Sequence, residues 1–268
     1  MQGVVVTGAA RGIGRAIATR LAREGLRLVV NDVDAAELQQ VADEIGAYAV
    51  PGDAASTAGV EALVAEATAH LGRIDAFFAN AGIGVMAGLE ATDEQWAQVL
   101  EVNLMAHVRT ARVLVPRWLE QGGGRLVITA SAAGLLTMLG DAPYSVTKHG
   151  AVAFAEWLSA TYRHRGIVVQ AICPQGVQTR MLEQSGPLQG LLAHDEALTP
   201  DAVADAVWHG LQGDEVLILP HPEVRDYYAF RATQPDAWLG RMNRIQQRLE
   251  QSTPTIQPIS SDPVKETR

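Results

Sequence analysis

Short runs of apolar, often β-branched residues alternate along this chain with longer segments whose apolar residues follow a helical period. Strands that are apolar on consecutive residues are buried on both faces, which is typical of parallel sheets covered by helices. The pattern therefore predicts an α/β fold, a doubly wound parallel sheet of about seven strands with helices on both faces. The predicted strands are Val4–Val6, Arg27–Val30, Ala47–Val50, Ile74–Ala79, Arg125–Thr129, Ile167–Ile172 and Val216–Leu219.

The chain length of 268 residues fits a single domain, which we place at residues 1–250 with a C-terminal extension over 220–250. Beyond about Gln251 the residues are polar, charged or proline without an apolar period, which predicts a disordered tail over 251–268. Glycines follow four helical segments, at Gly25, Gly46, Gly72 and Gly210, where left-handed C-caps are expected.

Two predicted helices, 94–120 and 144–163, carry apolar residues on nearly every face. A helix packed on one side of a sheet needs other cover for such faces, so we expect a homodimer or homotetramer formed through these helices. Burial within one subunit is the alternative interpretation.

The overall charge of the chain indicates which classes of binding partner to expect. With 21 basic and 30 acidic side chains the formal net charge is −9, so neither nucleic acid nor a membrane surface is an expected partner. Cys173 is the single cysteine, which excludes an intrachain disulfide. The chain starts directly on the first predicted strand, and we expect a cytoplasmic location.

A glycine-rich segment, Thr7–Gly14, joins the first predicted strand to the first helix. Gly8, Gly12 and Gly14 let backbone N–H groups approach a pyrophosphate at a helix N-terminus, where the helix dipole favours negative charge. Asp32 ends the second strand, where a carboxylate accepts hydrogen bonds from an adenosine ribose and repels a 2′-phosphate. NAD is therefore preferred over NADP, although Arg11 in the loop is a residue that could pair with that phosphate.

With this glycine spacing, and with Ala79–Gly82, the sequence resembles the short-chain dehydrogenase/reductase family from Val4 to about Leu219. The resemblance implies a Rossmann-type fold and a nicotinamide cofactor. It also implies that Asp53 and its neighbour Ala54 contact adenine and that Asn80, Ala81 and Gly82 belong to an Asn-Asn-Ala-Gly motif whose first Asn is here Ala79.

Tyr144 and Lys148 lie four residues apart at the start of a predicted helix, so both point the same way. A nearby ammonium favours the phenolate, which lowers the pKa of the tyrosine toward values at which it exchanges a proton with an alcohol or ketone. The resemblance implies further catalytic roles for Ser131, thirteen residues before the tyrosine, and for Asn103, which would hold a water behind the lysine. Mid-helix asparagine is otherwise a poor helix former.

The segment after the sixth strand resembles the part of the family that orients the nicotinamide, with Pro174, Val177 and Thr179 on the matching positions. Here Gln175 replaces the family's glycine, so this loop could differ in shape. The residues expected to contact the cofactor are Gly8, Arg11, Gly12, Ile13, Gly14, Asp32, Asp53, Ala54, Asn80, Ala81, Gly82, Tyr144, Lys148, Pro174, Val177 and Thr179.

These expectations describe an oxidoreductase that transfers a hydride between nicotinamide and an apolar secondary alcohol or ketone. Segments 84–90, 133–143 and 178–198 are expected to form the substrate walls, with Arg180 as their one fixed cation. Two alternatives stay open, an NADP-dependent ketone reductase of the 3-oxoacyl type and a catalytically silent nucleotide-binding regulator. Cys173 is expected to be a buried packing residue, and His107 and His149 are expected to be packing or interface residues. Trp238 could dock on a neighbour, and no metal site is expected.

Overall fold

A computed structural model describes residues 1–186 and 197–252 of the chain. The strands are β1 Gly3–Thr7, β2 Arg27–Asn31, β3 Tyr48–Ala49, β4 Ala76–Ala79, β5 Gly124–Thr129, β6 Ile167–Ile172 and β7 Leu217–Ile218. They form one sheet in the order β3-β2-β1-β4-β5-β6-β7, and each neighbouring pair is parallel. The predicted α/β fold is confirmed, because each apolar run lies on a strand of this sheet.

The helices are α1 Gly12–Arg23, α2 Ala35–Ile45, α3 Thr57–Leu71, α4 Asp93–Leu100, α5 Ala106–Glu120, α6 Ala142–Tyr162, α7 Arg180–Glu183, α8 Pro200–Gly210, α9 Val224–Thr233 and α10 Pro235–Ser252. Short 3-10 turns cover Ala132–Gly134 and Arg163–Arg165.

The strands bury both of their faces, as the consecutive apolar residues require. On β1, Val5 packs into the core layer formed with α3, α5 and α6. Its neighbours Val4 and Val6 pack into the opposite layer, formed with α1, α2 and α8. All three valines have no exposed surface, so the sheet lies in the middle of three layers.

Helix ends follow the local signals with one exception. Gly25, Gly46 and Gly72 adopt positive φ after α1, α2 and α3. The expected C-cap at Gly210 is wrong, because this glycine is the last helical residue of α8 and Leu211 follows it as the cap. A Cβ at Gly210 would lie 2.8 Å from two carbons of Ile218, so close packing of α8 against β7 explains the glycine.

The continuous helix predicted over 94–120 is interrupted. A π-helical turn, Glu101–Met105, separates α4 from α5. It widens the helix around the buried side chain of Asn103, and such turns recur at functional sites. The second predicted helix, 144–163, corresponds to α6.

The C-terminal extension forms α9 and α10, which pack against each other. The predicted disordered tail spans 251–268, but Gln251 and Ser252 are the last residues of α10. Residues 253–268 lie outside the described residues, as do residues 187–196 of the predicted substrate loop. Within the described ranges, every helix is too short or too polar to cross a membrane.

Candidate active site

A cleft of about 2100 Å³ opens at the carboxyl ends of the strands. All sixteen residues expected to contact the cofactor line it, and so does Ser131. Asn103 is buried behind the cleft wall. In parallel α/β sheets this edge is where ligands bind, because the loops that follow the strands meet there.

The glycine segment forms a tight cradle at one end of the cleft. Gly8 and Gly12 have positive φ of 63° and 55°, and a Cβ on Gly14 would lie 2.0 Å from the Gly8 carbonyl oxygen. Arg11 precedes α1 as its N-cap but makes no side-chain cap hydrogen bond, so the first turn of α1 is left without a side-chain cap. The residues present therefore fit the pyrophosphate of a dinucleotide.

Asn80 holds this cradle to the sheet. Its Nδ2 donates to the carbonyls of Thr7 and Gly8 at 3.1 and 3.2 Å, and its Oδ1 accepts from the Thr129 hydroxyl at 3.0 Å. The side chain thus joins the ends of β1, β4 and β5. Ala79, which stands in place of the family's first asparagine, is buried in the core.

Asp32 lies where the second strand opens into the cleft. Its Oδ2 accepts from the backbone N–H of Ala10 and its Oδ1 from that of Asp34, both at 3.1 Å. The guanidinium of Arg11 pairs with Asp34 at 2.9 Å and with Glu37 at 3.1 Å. The cation that could have met a 2′-phosphate is therefore engaged by two carboxylates.

The far end of the cleft contains Asp53, whose Oδ1 accepts from the backbone N–H of Ala55 at 2.9 Å. Asn31 is a residue that the sequence reasoning missed. Its buried amide donates to the carbonyls of Val50 and Gly52 at 2.9 and 3.0 Å and so shapes the loop that carries Asp53 and Ala54.

Tyr144 lies in the first turn of α6 and faces the cleft. Burial of its ring raises the pKa of Tyr144, while a hydrogen bond with the Ser131 side chain lowers it by less. Asp141 adds a smaller upward contribution. The expected lowering of the Tyr144 pKa by Lys148 is thus wrong for the protein without ligands, because desolvation of the phenolate outweighs the favourable contacts.

Lys148 lies one helical turn further along α6, with its Nζ 5.4 Å from the centroid of the Tyr144 ring. The ammonium donates to the carbonyl oxygen of Thr129 at 2.8 Å, so it lies over the ring and is anchored to β5. Burial lowers the pKa of Lys148 to about 8. A Cβ at Gly82 would lie 3.2 Å from this Nζ, so the glycine leaves room for the ammonium.

Asn103 joins the π-helical turn to the cleft wall. Its Oδ1 accepts from the N–H of Ile83 at 2.9 Å, and its Nδ2 donates to the Ile83 carbonyl at 2.8 Å and to the Thr147 hydroxyl at 3.2 Å. These contacts give a structural reason for an asparagine within an apolar helix. They hold residue 83 beside the turn that carries Lys148.

Asp141 is a further site residue that the sequence reasoning missed. Its carboxylate has no exposed surface and caps α6 by accepting from the Tyr144 N–H at 3.0 Å. The other oxygen accepts from the N–H groups of Val85 and Met86 at 2.9 and 2.8 Å. Met86 has a positive φ of 51°, so this carboxylate also stabilises an unfavourable backbone conformation. The N-cap position before a Pro-containing first turn was the signal available in the sequence.

The substrate half of the cleft is lined mainly by apolar side chains. Of the predicted wall segments, the residues that line it are Gly84, Met86, Ala133, Leu136, Thr137, Met138, Leu139, Gln178, Thr179, Arg180, Met181, Leu182, Glu183 and Gln184. Leu135 is buried in the core instead, and Leu188, Leu191 and Leu192 lie outside the described residues.

The C-terminal extension supplies a wall that the sequence reasoning did not predict. Trp238, Met242 and Ile245 of α10 line the cleft at helical spacing, which was the available signal. Trp238 packs within its own chain, because its Nε1 donates to the Thr137 hydroxyl at 3.1 Å and its ring meets Phe230 edge-on.

Cations were expected in this half of the cleft only at Arg180. That guanidinium turns away, toward Glu37 at 3.1 Å. Arg241 of α10 lines the cleft and lies over the Phe230 ring at 4.5 Å. Within the described part of the chain, no carboxylate pairs with Arg241.

The loop 174–179 forms the wall opposite the glycine cradle. The Pro174 carbonyl accepts from the Ala132 N–H at 2.8 Å and from the Ser131 hydroxyl at 3.4 Å. The N–H of Gln175 donates to Nδ1 of the buried His221 at 3.1 Å.

Two further titratable residues near the cleft, Cys173 and His107, are buried. Cys173 has no exposed surface, and burial raises its pKa to about 12, which excludes a thiolate near neutral pH. Burial, with a smaller contribution from the charge on Lys148, lowers the pKa of His107 to about 3, so its ring is neutral. In residues 1–186 and 197–252 no group of three or more His, Cys, Asp or Glu could hold a metal ion.

Comparison of the chain with known proteins relates it to one family. The model of the short chain dehydrogenase family matches residues 2–189. The chain is 37% identical over 230 residues to the 1-deoxy-11-beta-hydroxypentalenate dehydrogenase of Streptomyces exfoliatus, covering 82% of this chain and 83% of that protein. It is 34% identical over 244 residues to an uncharacterised NAD-dependent oxidoreductase of Mycobacterium tuberculosis, covering 78% and 88%.

A solved structure is similar to the whole fold. The short chain dehydrogenase/reductase of Burkholderia phymatum, crystallised in complex with NAD, superposes with a TM-score of 0.82 at 28% identity. The alignment covers 88% of this chain and 94% of that one.

Proposed function

The chain belongs to the short-chain dehydrogenase family and is an alcohol dehydrogenase or ketoreductase, and we propose that it oxidises apolar secondary alcohols with NAD, using Tyr144 as general base. The observation that carries this proposal is the grouping of Tyr144, Ser131 and Lys148 beside the nucleotide cradle. The Lys148 Nζ lies 5.4 Å from the centroid of the phenol ring, and the Ser131 side chain is near enough to lower the pKa of the same phenol.

In the proposed oxidation, the Tyr144 phenolate takes the hydroxyl proton of the alcohol while the Ser131 hydroxyl holds the reacting oxygen. NAD held by the glycine cradle and Asp32 would supply the hydride acceptor for the carbinol carbon, and its positively charged ring would favour the phenolate. Lys148 holds a second positive charge over the phenol. Asn103 fixes residue 83 and Thr147, which keeps the catalytic turn of α6 in register with the cleft wall.

The preference for NAD is supported by Asp32. Its carboxylate is held at the ribose end of the cleft by the N–H groups of Ala10 and Asp34 and would repel a 2′-phosphate. Arg11, the cation that would favour NADP, is paired with two carboxylates. A relative named as NAD-dependent and a neighbour in complex with NAD are consistent with this preference.

The apolar lining supports a substrate with a hydrocarbon body. Leu136, Met138, Leu139, Trp238 and Met242 surround the substrate half of the cleft. Arg241 lines this half of the cleft and could pair with a substrate carboxylate remote from the carbinol. The name of the Streptomyces exfoliatus relative contains a carboxylate, a hydroxypentalenate.

We expect the chain to form a homodimer or homotetramer through its central helices. On α6 the side chains of Val146 and Trp157 are 54% and 56% exposed, and Phe154 lies between them on the same face. An exposed apolar face on a helix whose opposite face is buried in the core fits a subunit interface.

Initial rates over a panel of secondary alcohols, aliphatic, alicyclic and aromatic, each with and without a remote carboxylate, test the proposal with NAD and NADP in parallel. Turnover with NAD on apolar alcohols is the expected result. A higher kcat/KM with NADP would favour the ketone-reductase alternative. NAD binding without turnover of any panel member would contradict the proposed activity and favour the regulator.

A further inference from the structure

Glu37 of α2 lies between two arginines that come from distant parts of the chain. Its Oε2 is 3.1 Å from Arg11 Nε, and its Oε1 is 3.1 Å from Arg180 Nη2. Arg11 belongs to the glycine loop, whereas Arg180 begins α7 on the opposite wall. One carboxylate therefore engages both guanidinium groups, one oxygen for each.

Both arginines line the cleft that contains Asp32. Arg11 is also paired with Asp34 at 2.9 Å, so this end of the cleft holds three carboxylates and two guanidinium groups. A 2′-phosphate adds about two negative charges and binds through arginine forks. Both of these guanidinium groups are already engaged by Glu37.

We propose that Glu37 is a determinant of cofactor selectivity that acts by neutralising Arg11 and Arg180, in addition to the direct repulsion by Asp32. The inference rests on the proposed preference for NAD. This role differs from that of Asp32. Asp32 faces the ribose, whereas Glu37 pairs with two arginines that could otherwise bind a phosphate.

The expected size of the effect on NADP binding follows from how exposed the three side chains are. The side chain of Glu37 is 33% exposed, and those of Arg11 and Arg180 are 44% and 61% exposed. Exposed ion pairs contribute about 1 kcal/mol or less, which corresponds to a change in affinity of about fivefold. We therefore expect Glu37→Gln to tighten NADP binding about fivefold relative to NAD.

Dissociation constants for NAD and NADP are measured by titration calorimetry on the full chain, wild type and Glu37→Gln, at low and high salt. The expected gain is confined to NADP and shrinks as salt screens the charges. The matched control is Asp43→Asn, which removes an exposed carboxylate of the same helix that accepts a hydrogen bond from Gln39 at 2.9 Å. Asp43→Asn is expected to leave the NAD to NADP ratio unchanged.

The double variant Arg11→Ala/Glu37→Gln tests whether Arg11 is the arginine that binds the 2′-phosphate. The NADP gain should fall when Arg11 is absent, whereas a gain that survives in full would overturn the assignment of Arg11. A wild-type preference for NAD together with no change in Glu37→Gln would overturn the inference and leave the proposed function standing. A wild-type preference for NADP would refute the proposed cofactor, and the inference would still be decided by the change in ratio.

Discussion

The buried carboxylate of Asp141 accepts a hydrogen bond from the backbone N–H of Tyr144 at 3.0 Å. Its second oxygen holds the N–H groups of Val85 and Met86, which lie 56 and 55 residues away along the chain. One side chain therefore sets the N-terminus of α6 and the conformation of residues 85 and 86 at the same time.

Asp141→Ala should destabilise the protein and lower turnover together. Losing the cap and leaving buried N–H groups without an acceptor should cost about 3 kcal/mol of unfolding free energy. The displaced Tyr144 should reduce kcat by about tenfold or more. Urea unfolding and steady-state rates measure the two effects.

Thr92→Ala is the matched control, since Thr92 caps α4 at the surface through a capping box with Gln95. It should cost about 1 kcal/mol and leave kcat unchanged. Equal behaviour of the two variants would show that Asp141 is an ordinary cap.

Tyr144→Phe should retain the fold and NAD binding but reduce kcat about a thousandfold, because the general base is lost. Stopped-flow rates and NAD titration measure this. Tyr162→Phe, at the other end of the same helix, should be as active as wild type. Substantial turnover by the Tyr144 variant would refute the assigned base.

Lys148→Met should make the protein without ligands more stable near pH 7 while abolishing its activity. The pKa of Lys148 is about 8 in the folded state and 10.5 for a free lysine. Below pH 8 the buried ammonium therefore lowers the free energy of unfolding. Allowing for the lost bond to Thr129, the gain should be about 2 kcal/mol.

The sign of this effect is set by proton binding. Between pH 8 and 10.5 the unfolded chain binds more protons at this lysine, so wild-type stability rises with pH and the advantage of the variant shrinks. Denaturation series across this pH range measure it. Lys148→Arg keeps the charge and should gain nothing, and a variant advantage that grew with pH would contradict the argument.

Trp238→Ala should open the substrate half of the cleft. The side chain is 8% exposed, and its loss should cost about 3 kcal/mol of stability. We expect kcat/KM for apolar alcohols to fall with NAD affinity unchanged. Leu239→Ala removes an exposed neighbour and should alter neither quantity, whereas an unchanged specificity profile in Trp238→Ala would show that α10 only packs on the fold.

Trp157→Glu should weaken the proposed assembly without unfolding the subunit. Trp157 is 56% exposed on α6, and a central tryptophan at an interface contributes about 2 kcal/mol or more. Light scattering coupled to size exclusion measures the mass. Leu89→Glu places the same charge on an exposed leucine outside α6 and should leave the mass unchanged; a wild-type monomer would refute the interface.

Much of this molecule is predictable from local sequence. The apolar runs indicate the strands because burial on both faces demands them, and the glycines of 8–14 indicate a close approach that only a missing Cβ permits. The spacing of Tyr144 and Lys148 alone brings them to one face of a helix.

Tertiary packing decided which distant residues meet and how far the site residues are buried, and local spacing does not show either. Glu37 meets Arg180 across 143 residues, and Trp238 meets Thr137 across 101, because separate helices and loops pack at one edge of the sheet. The pKa of Tyr144 is raised although its neighbour is a lysine, since that pKa depends on how much water the folded cleft excludes. Periodicity and spacing are properties of the chain, whereas burial and long-range charge pairing exist only once the layers have closed around the site.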